Sequence, residues 1–128
     1  MTFQDHLSQA NHNERLFQQL GSGSLGAYDW AITVMFYSLL HFVDAWLLQH
    51  HNIIPKGHTK KRGVLGRNDY VKQHLPQIYG AYKRLYDASI RARYEGAYLT
   101  PGSLGDYQNL KTNQFDRARE FFRQQQGW

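Results

Sequence analysis

Apolar side chains recur along most of this chain at three- and four-residue steps, the period of an amphipathic helix. No stretch of useful length alternates every second residue as a half-buried strand would. At the start, Phe3, Leu7, Ala10, Phe17 and Leu20 fall on one stripe, and Gly21-Ser22-Gly23-Ser24 then stops the helix. From Leu25 to about His51 the chain is apolar on nearly every side, with Trp30 to Tyr37 unbroken apart from Thr33. This is the pattern of a helix surrounded by others, so the second helix is expected to be the core.

Pro55 disfavours helix at Ile54, and Gly57 follows, so a connection is expected over Asn52 to Lys56, with helix resuming past His58. Gly63 and Gly66 weaken the stretch Thr59 to Leu75, which predicts a short or broken third helix marked by Val64, Leu65, Val71 and Leu75. Pro76 suits a first helical turn. Ile78, Tyr79, Tyr82, Leu85, Tyr86, Ser89, Ile90 and Arg93 then continue one face to an end near Gly96. After the loop Thr100-Pro101-Gly102, Ser103 with Asp106 three residues on resembles a capping box, opening a last helix with Tyr107, Leu110, Ala118, Phe121 and Phe122 inward. The expected fold is all-α: one domain spanning 1–128, an antiparallel up-and-down bundle of about five helices joined by short turns.

Size and composition agree with that picture. A chain of 128 residues can bury a core without a staple, and the absence of cysteine excludes disulfides, Cys-based zinc sites and thiol nucleophiles. The segment Met1 to Ala10 carries Asp5 and His6 and does not read as a secretion signal. Ala27 to Leu48 is long enough to span a membrane, but Asp29, His41 and Asp44 would lie in hydrocarbon, so no membrane and a cytoplasmic location are expected. The formal charge of +5 favours an anionic partner such as RNA, DNA or a nucleotide.

Two groups of residues are candidates to meet such a partner. Arg93 lies on the otherwise apolar face of the fourth helix, where a guanidinium needs an anion, a carboxylate or a subunit interface; Asp44 and Asp87 are the acids that would make it a structural salt bridge. The run from Arg91 through Arg93, Tyr94 and Tyr98 concentrates donors and aromatic rings at a helix end, a mixture that can bind phosphates and stack bases, although such rings also serve as ordinary packing. The second group is Lys56, His58, Lys60, Lys61, Arg62 and Arg67, which places five formal positive charges within twelve residues.

Inside the core helix, His41 and Asp44 are three apart and share a face, a spacing that suits two ligands of one metal or a hydrogen-bonded pair, the second being preferred. His50 and His51 are adjacent, so their rings diverge. Only Glu14, Glu95 and Glu120 occur, with no Glu-x-x-His pair, which argues against a bundle di-metal centre. Walker, Gly-x-Ser-x-Gly and His-Glu-x-x-His motifs are absent. No metal and no cofactor are expected, and no catalytic residue is assigned.

The order of these features resembles the HEPN superfamily: a long aromatic core helix ending in His50-His51, a Pro55-Lys56-Gly57-His58 connection, and a helix finishing Ser89-Ile90-Arg91-Ala92-Arg93-Tyr94. The resemblance covers roughly Leu25 to Phe122 and implies an antiparallel bundle that often forms homodimers, found in RNA-cleaving toxins, in defence proteins and in partners of small nucleotidyltransferases. It would place Arg93 near the family's functional groove. The ribonuclease members resemble one another in an Arg followed after four to six residues by His; here Tyr94 and Tyr98 follow Arg93 and no His does.

The expected function is therefore a HEPN-like, non-catalytic module of a toxin–antitoxin or defence context. It would bind RNA or a nucleotide through Arg93, Arg91, Tyr94, Tyr98, His58, Lys60, Lys61 and Arg62, as a homodimer. Two alternatives stay open: a metal-independent ribonuclease in which Arg93 holds the phosphate and a histidine from elsewhere moves the proton, and a helper subunit docking on a nucleotidyltransferase.

Overall fold

The computed structural model of the chain describes residues 1–22, 27–93 and 104–128. They form α1 (Phe3–Leu20), α2 (Tyr28–His51), α3 (Arg67–His74), α4 (Pro76–Arg91), α5 (Leu104–Leu110) and α6 (Asp116–Gln126), with a π turn at Lys111–Phe115 running α5 directly into α6. Among the described residues there is no strand, and the one isolated β-bridge joins Lys61 to Val64. The all-α bundle is thus as expected.

Pairings between helices give the direction of each. His6 meets His41 while Ala10 meets Ser38, so α1 and α2 run antiparallel. His51 meets His74 near the start of α4 while Phe36 meets Tyr82 and Tyr86 farther along, so α4 returns antiparallel to α2. Phe17 packs on Phe115, Glu14 on Arg119 and Phe3 on Trp128, which sets the C-terminal segment antiparallel to α1. Helix α2 sits at the centre and buries Ala31, Ile32, Met35, Phe36, Leu39, Leu40, Phe42, Val43, Ala45 and Leu47. It is long and apolar enough to cross a membrane, but 72% of its apolar window is buried by the rest of the bundle, as in the core helix of a soluble protein.

Three local departures from expectation have clear causes. The buried stripe of α1 is His6, Ala10, Asn13 and Phe17, spaced four, three and four, so Asn13 fills the gap between Ala10 and Phe17 and His6 extends the stripe before Ala10. Helix does not resume past His58: the chain makes a compact loop first, and α3 begins only at Arg67. In the last helix Phe115 joins the interior five residues after Leu110, and the π turn absorbs that step, with Asp116 N–H donating to the Lys111 carbonyl. The proposed cap at Ser103 and the helix end near Gly96 lie outside the described residues.

The loop between α2 and α3 is closed by backbone hydrogen bonds at its base. Asn52, left-handed at φ 53°, ends α2, and Ile53 N–H donates back to the Leu47 carbonyl. The Gly57 and His58 carbonyls then accept from Arg67 and Asn68 N–H at 2.7 and 2.9 Å, so the loop caps the first turn of α3. At the tip, Arg62 (φ 52°) and Gly63 (φ 80°) are both left-handed, and Lys61 and Val64 exchange backbone hydrogen bonds across them at 2.9 and 3.0 Å. This is the geometry of a type I′ turn.

Gly66 holds the base of that loop, since a Cβ there would overlap backbone atoms of Thr59 and His58. Replacing Gly66 by Ala is expected to destabilise the protein by about 1–3 kcal/mol in urea denaturation, as backbone has to shift. Gly80→Ala is the contrast: nothing lies within 4 Å of the added Cβ in the middle of α4, and stability is expected to rise by about 0.5–1 kcal/mol.

Candidate functional site: a buried ion pair beneath a basic groove

Asp44 is buried on α2, where a lone carboxylate would be costly to desolvate, and Arg67 at the first position of α3 answers it. Arg67 Nε and Nη2 donate to Asp44 Oδ1 and Oδ2 at 2.7 and 3.0 Å, a bidentate pair with side-chain exposures of 10% and 7%. The same guanidinium reaches His58 with Nη1, 3.2 Å from the ring Nδ1. Arg67 thus joins the core helix, the loop and α3 through three donors. The charge cluster of the sequence therefore loses one member to the core, and Lys56, Lys60, Lys61 and Arg62 remain exposed.

The Arg67 contact also fixes the tautomer of His58. Guanidinium nitrogens only donate, so His58 Nδ1 accepts, and the neutral ring carries its proton on Nε2. Burial, then the charges of Arg67 and Arg93, hold the His58 imidazole below its ordinary pKa of 6.5, against the pull of Asp44. The ring packs against Phe36 and Tyr86 at centroid distances of 5.9 and 5.3 Å.

His58 also lines an open groove of about 560 Å³ together with Lys56, Gly57, Thr59, Lys61, Arg62, Val64 and Leu65. Among the described residues no carboxylate lines this groove, and the type I′ turn carries Arg62 at its tip. Lys60 is exposed in the same loop without lining the groove.

Arg93, just past the end of α4, is half-buried. Its Nη1 donates to the Tyr37 hydroxyl at 2.9 Å, its Nε donates to the Ser89 carbonyl at 3.3 Å, and its guanidinium lies 5.7 Å from the Tyr37 ring centroid. The acids considered as its partners are engaged elsewhere, Asp44 by Arg67 and Asp87 by Lys83 at 2.9 Å. Arg93 and His58 are brought within electrostatic reach of each other, whereas Arg91 is exposed at the end of α4. Tyr94 and Tyr98 lie outside the described residues.

On the other side of the ion pair, His6 of α1 and His41 of α2 face each other with Nδ1 atoms 3.0 Å apart. His41 therefore pairs with His6 across two helices, while the Asp44 oxygens go to Arg67, in place of the His41–Asp44 pair expected along one helix. Burial is the main force lowering the pKa of both imidazoles. His6, His41, Asp44, Arg67 and His58 form one polar strip through the bundle, and Tyr82 lies beside it with its hydroxyl buried and raised well above the usual phenol range by desolvation. Sequence reasoning missed His6, Tyr37 and the core role of Arg67. The signal for His6 was available, as it stands four, seven and eleven residues before Ala10, Asn13 and Phe17 on the buried face.

Compared with protein-family models, with characterised proteins and with solved structures, the chain matches none significantly.

Two outcomes follow for stability. Arg67→Met leaves Asp44 buried without a partner and is expected to cost about 3–5 kcal/mol in chemical denaturation, whereas Asp44→Leu combined with Arg67→Met costs less than the two single changes added together. For pH, the folded state disfavours protonation of His6, His41 and His58, so the unfolded chain binds more protons once pH falls through 6.5. In chelator-containing buffer, stability is expected to be level above that value and to decline toward about pH 5, with His58→Gln flattening part of the slope.

Proposed function

We propose that this protein is a HEPN-like, non-catalytic module that binds the phosphates of RNA or of a nucleotide in the groove formed by the loop that connects α2 to α3. The observation that carries this reading is the groove itself, lined by Lys56, His58, Lys61 and Arg62 and, among the described residues, by no carboxylate. Cations gathered on a short closed loop raise the local potential without the opposing acids that neutralise an ordinary surface. His58 adds direction: with Nδ1 accepting from Arg67, its remaining ring nitrogen is an N–H donor, the group that recognises an anionic oxygen. The positive charge of Arg93 is felt at His58, and pairing as a cytoplasmic homodimer belongs to the same reading.

The same tautomer weighs against the ribonuclease alternative. A general base needs a free lone pair, and neutral His58 has spent its own on Arg67. The helper-subunit alternative has no comparable observation in its favour.

The test is binding of purified protein to mixed single-stranded RNA at two salt concentrations, with cleavage followed in the same samples. The informative variant combines Lys61→Ala with Arg62→Gly, because glycine removes the guanidinium while relieving the left-handed backbone at φ 52°. Wild-type binding is expected to weaken with salt, and the variant to bind less tightly, its log–log salt slope shallower by roughly 0.7 for each phosphate no longer neutralised. Binding that ignores both salt and the double substitution would sink the proposal, and cleavage abolished by Arg93→Ala and His58→Ala would replace it with the ribonuclease.

A further inference from the structure

The facing imidazoles of His6 and His41 have a geometry that a simple hydrogen bond does not require. Each ring presents the same atom, Nδ1, and the two atoms stand 3.0 Å apart with the ring centroids at 5.3 Å. Only one of them can carry the proton between them, so the other is a bare lone pair. Asp44, one turn beyond His41 on α2, adds a carboxylate, and the three donor atoms all lie within 4.8 Å of one another. They come from two helices packed antiparallel, fixed near this point by Ser38 Oγ donating to the Ala10 carbonyl at 2.8 Å.

We propose that His6, His41 and Asp44 form a zinc-binding site that clamps α1 onto the core helix α2. Zn²⁺ bound to two imidazoles at 2.0–2.1 Å with tetrahedral angles requires its two nitrogens to be roughly 3.3 Å apart, so the rings must open by a few tenths of an ångström and turn until both Nδ1 lone pairs converge on the ion, with the Asp44 carboxylate closing in beside them. The donor set suits the ion: two borderline nitrogen ligands and one carboxylate, with a water completing four-coordination. The ring that donates at Nδ1 transfers its proton to Nε2, leaving both Nδ1 lone pairs for the metal with no net change in charge. Burial favours the neutral rings that such coordination needs.

Arg67 is the outer partner of this site. It holds both Asp44 oxygens at 2.7 and 3.0 Å, and each oxygen keeps a second lone pair for the metal. Its positive charge opposes the cation, which predicts moderate affinity and selects against weakly bound hard ions such as Mg²⁺. The protein carries one other close histidine pair among the described residues, His51 and His74 with centroids 4.1 Å apart at the surface, and this supplies an internal control.

The experiment uses tag-free, chelator-stripped protein titrated with ZnCl₂ in a calorimeter, with thermal unfolding followed in parallel and Co²⁺ absorption as a direct probe of ligand geometry. Expected are one-to-one binding, a melting temperature that rises with zinc, and tetrahedral-type Co²⁺ bands in the wild type. His6→Gln and His41→Gln should each weaken zinc at least tenfold while keeping wild-type far-ultraviolet circular dichroism, and His51→Gln should leave it unchanged. Should either ligand variant not fold, the wild-type Co²⁺ spectrum and the His51→Gln titration decide the matter. Absence of saturable wild-type binding, survival of binding in folded His41→Gln, or its loss in His51→Gln overturns the site. None of these results depends on whether the basic groove binds RNA.

Discussion

Asp44 and Arg67 meet inside the bundle, one from the middle of the central helix and the other from the first position of a short helix that follows a long loop. A carboxylate buried on an apolar helix is tolerable only when hydrogen-bonded and paired, and a bidentate guanidinium meets both requirements at once. The arrangement of the neighbouring polar groups follows from that pair. Arg67 must sit at the start of α3 to reach Asp44, so the preceding loop must fold back, and its carbonyls then cap the helix that carries Arg67. The third arm of the guanidinium orients His58, and an Asp44 oxygen lies within 4.8 Å of the His6 and His41 ring nitrogens. A lysine could supply the charge but not the fork, because one nitrogen cannot hold two carboxylate oxygens and an imidazole in those directions.

The groove gains its character from this division of labour. One cation of the basic cluster is drawn inside to neutralise Asp44, and among the described residues those left outside meet no carboxylate in the lining of the groove. Backbone hydrogen bonds hold the loop closed, from Gly57 and His58 to α3 and across Lys61 and Val64. The side chains at the tip are thereby released from packing, and Arg62 occupies a left-handed position that most residues avoid. Such a loop presents charge at low cost in mobility.

Much of the fold was legible from helical periodicity. The extent of α1, the burial of α2 and the start of α4 at Pro76 all follow from local rules about apolar spacing and proline. Local rules failed where long-range geometry decides. Gly63 and Gly66 read only as helix weakeners, whereas one makes a turn and the other admits a close backbone crossing. Arg67 looked like another surface cation because nothing nearby in sequence shows that Asp44, 23 residues earlier, will point at it. Likewise His6 stands 35 residues from His41, and no pattern within either helix reveals their meeting. Among the anticipated site residues, His58, Lys61 and Arg62 do share a groove, while Arg93 joins them only through its field at His58 and its bond to Tyr37.

The π turn at Lys111–Phe115 bears on how the length of the C-terminal helix relates to its packing. Tyr107 and Leu110 keep one α-helical frame, Phe115, Ala118 and Phe122 keep another, and the two differ by a single residue. The wide turn is where that frameshift is accommodated, on an exposed stretch at Thr112 and Asn113. Removing one of those two residues would merge the frames into one unbroken α-helix with the same side chains facing α1 and α2. The bundle thus contains a position where the count of residues, usually rigidly fixed inside a helix, is free to change by one.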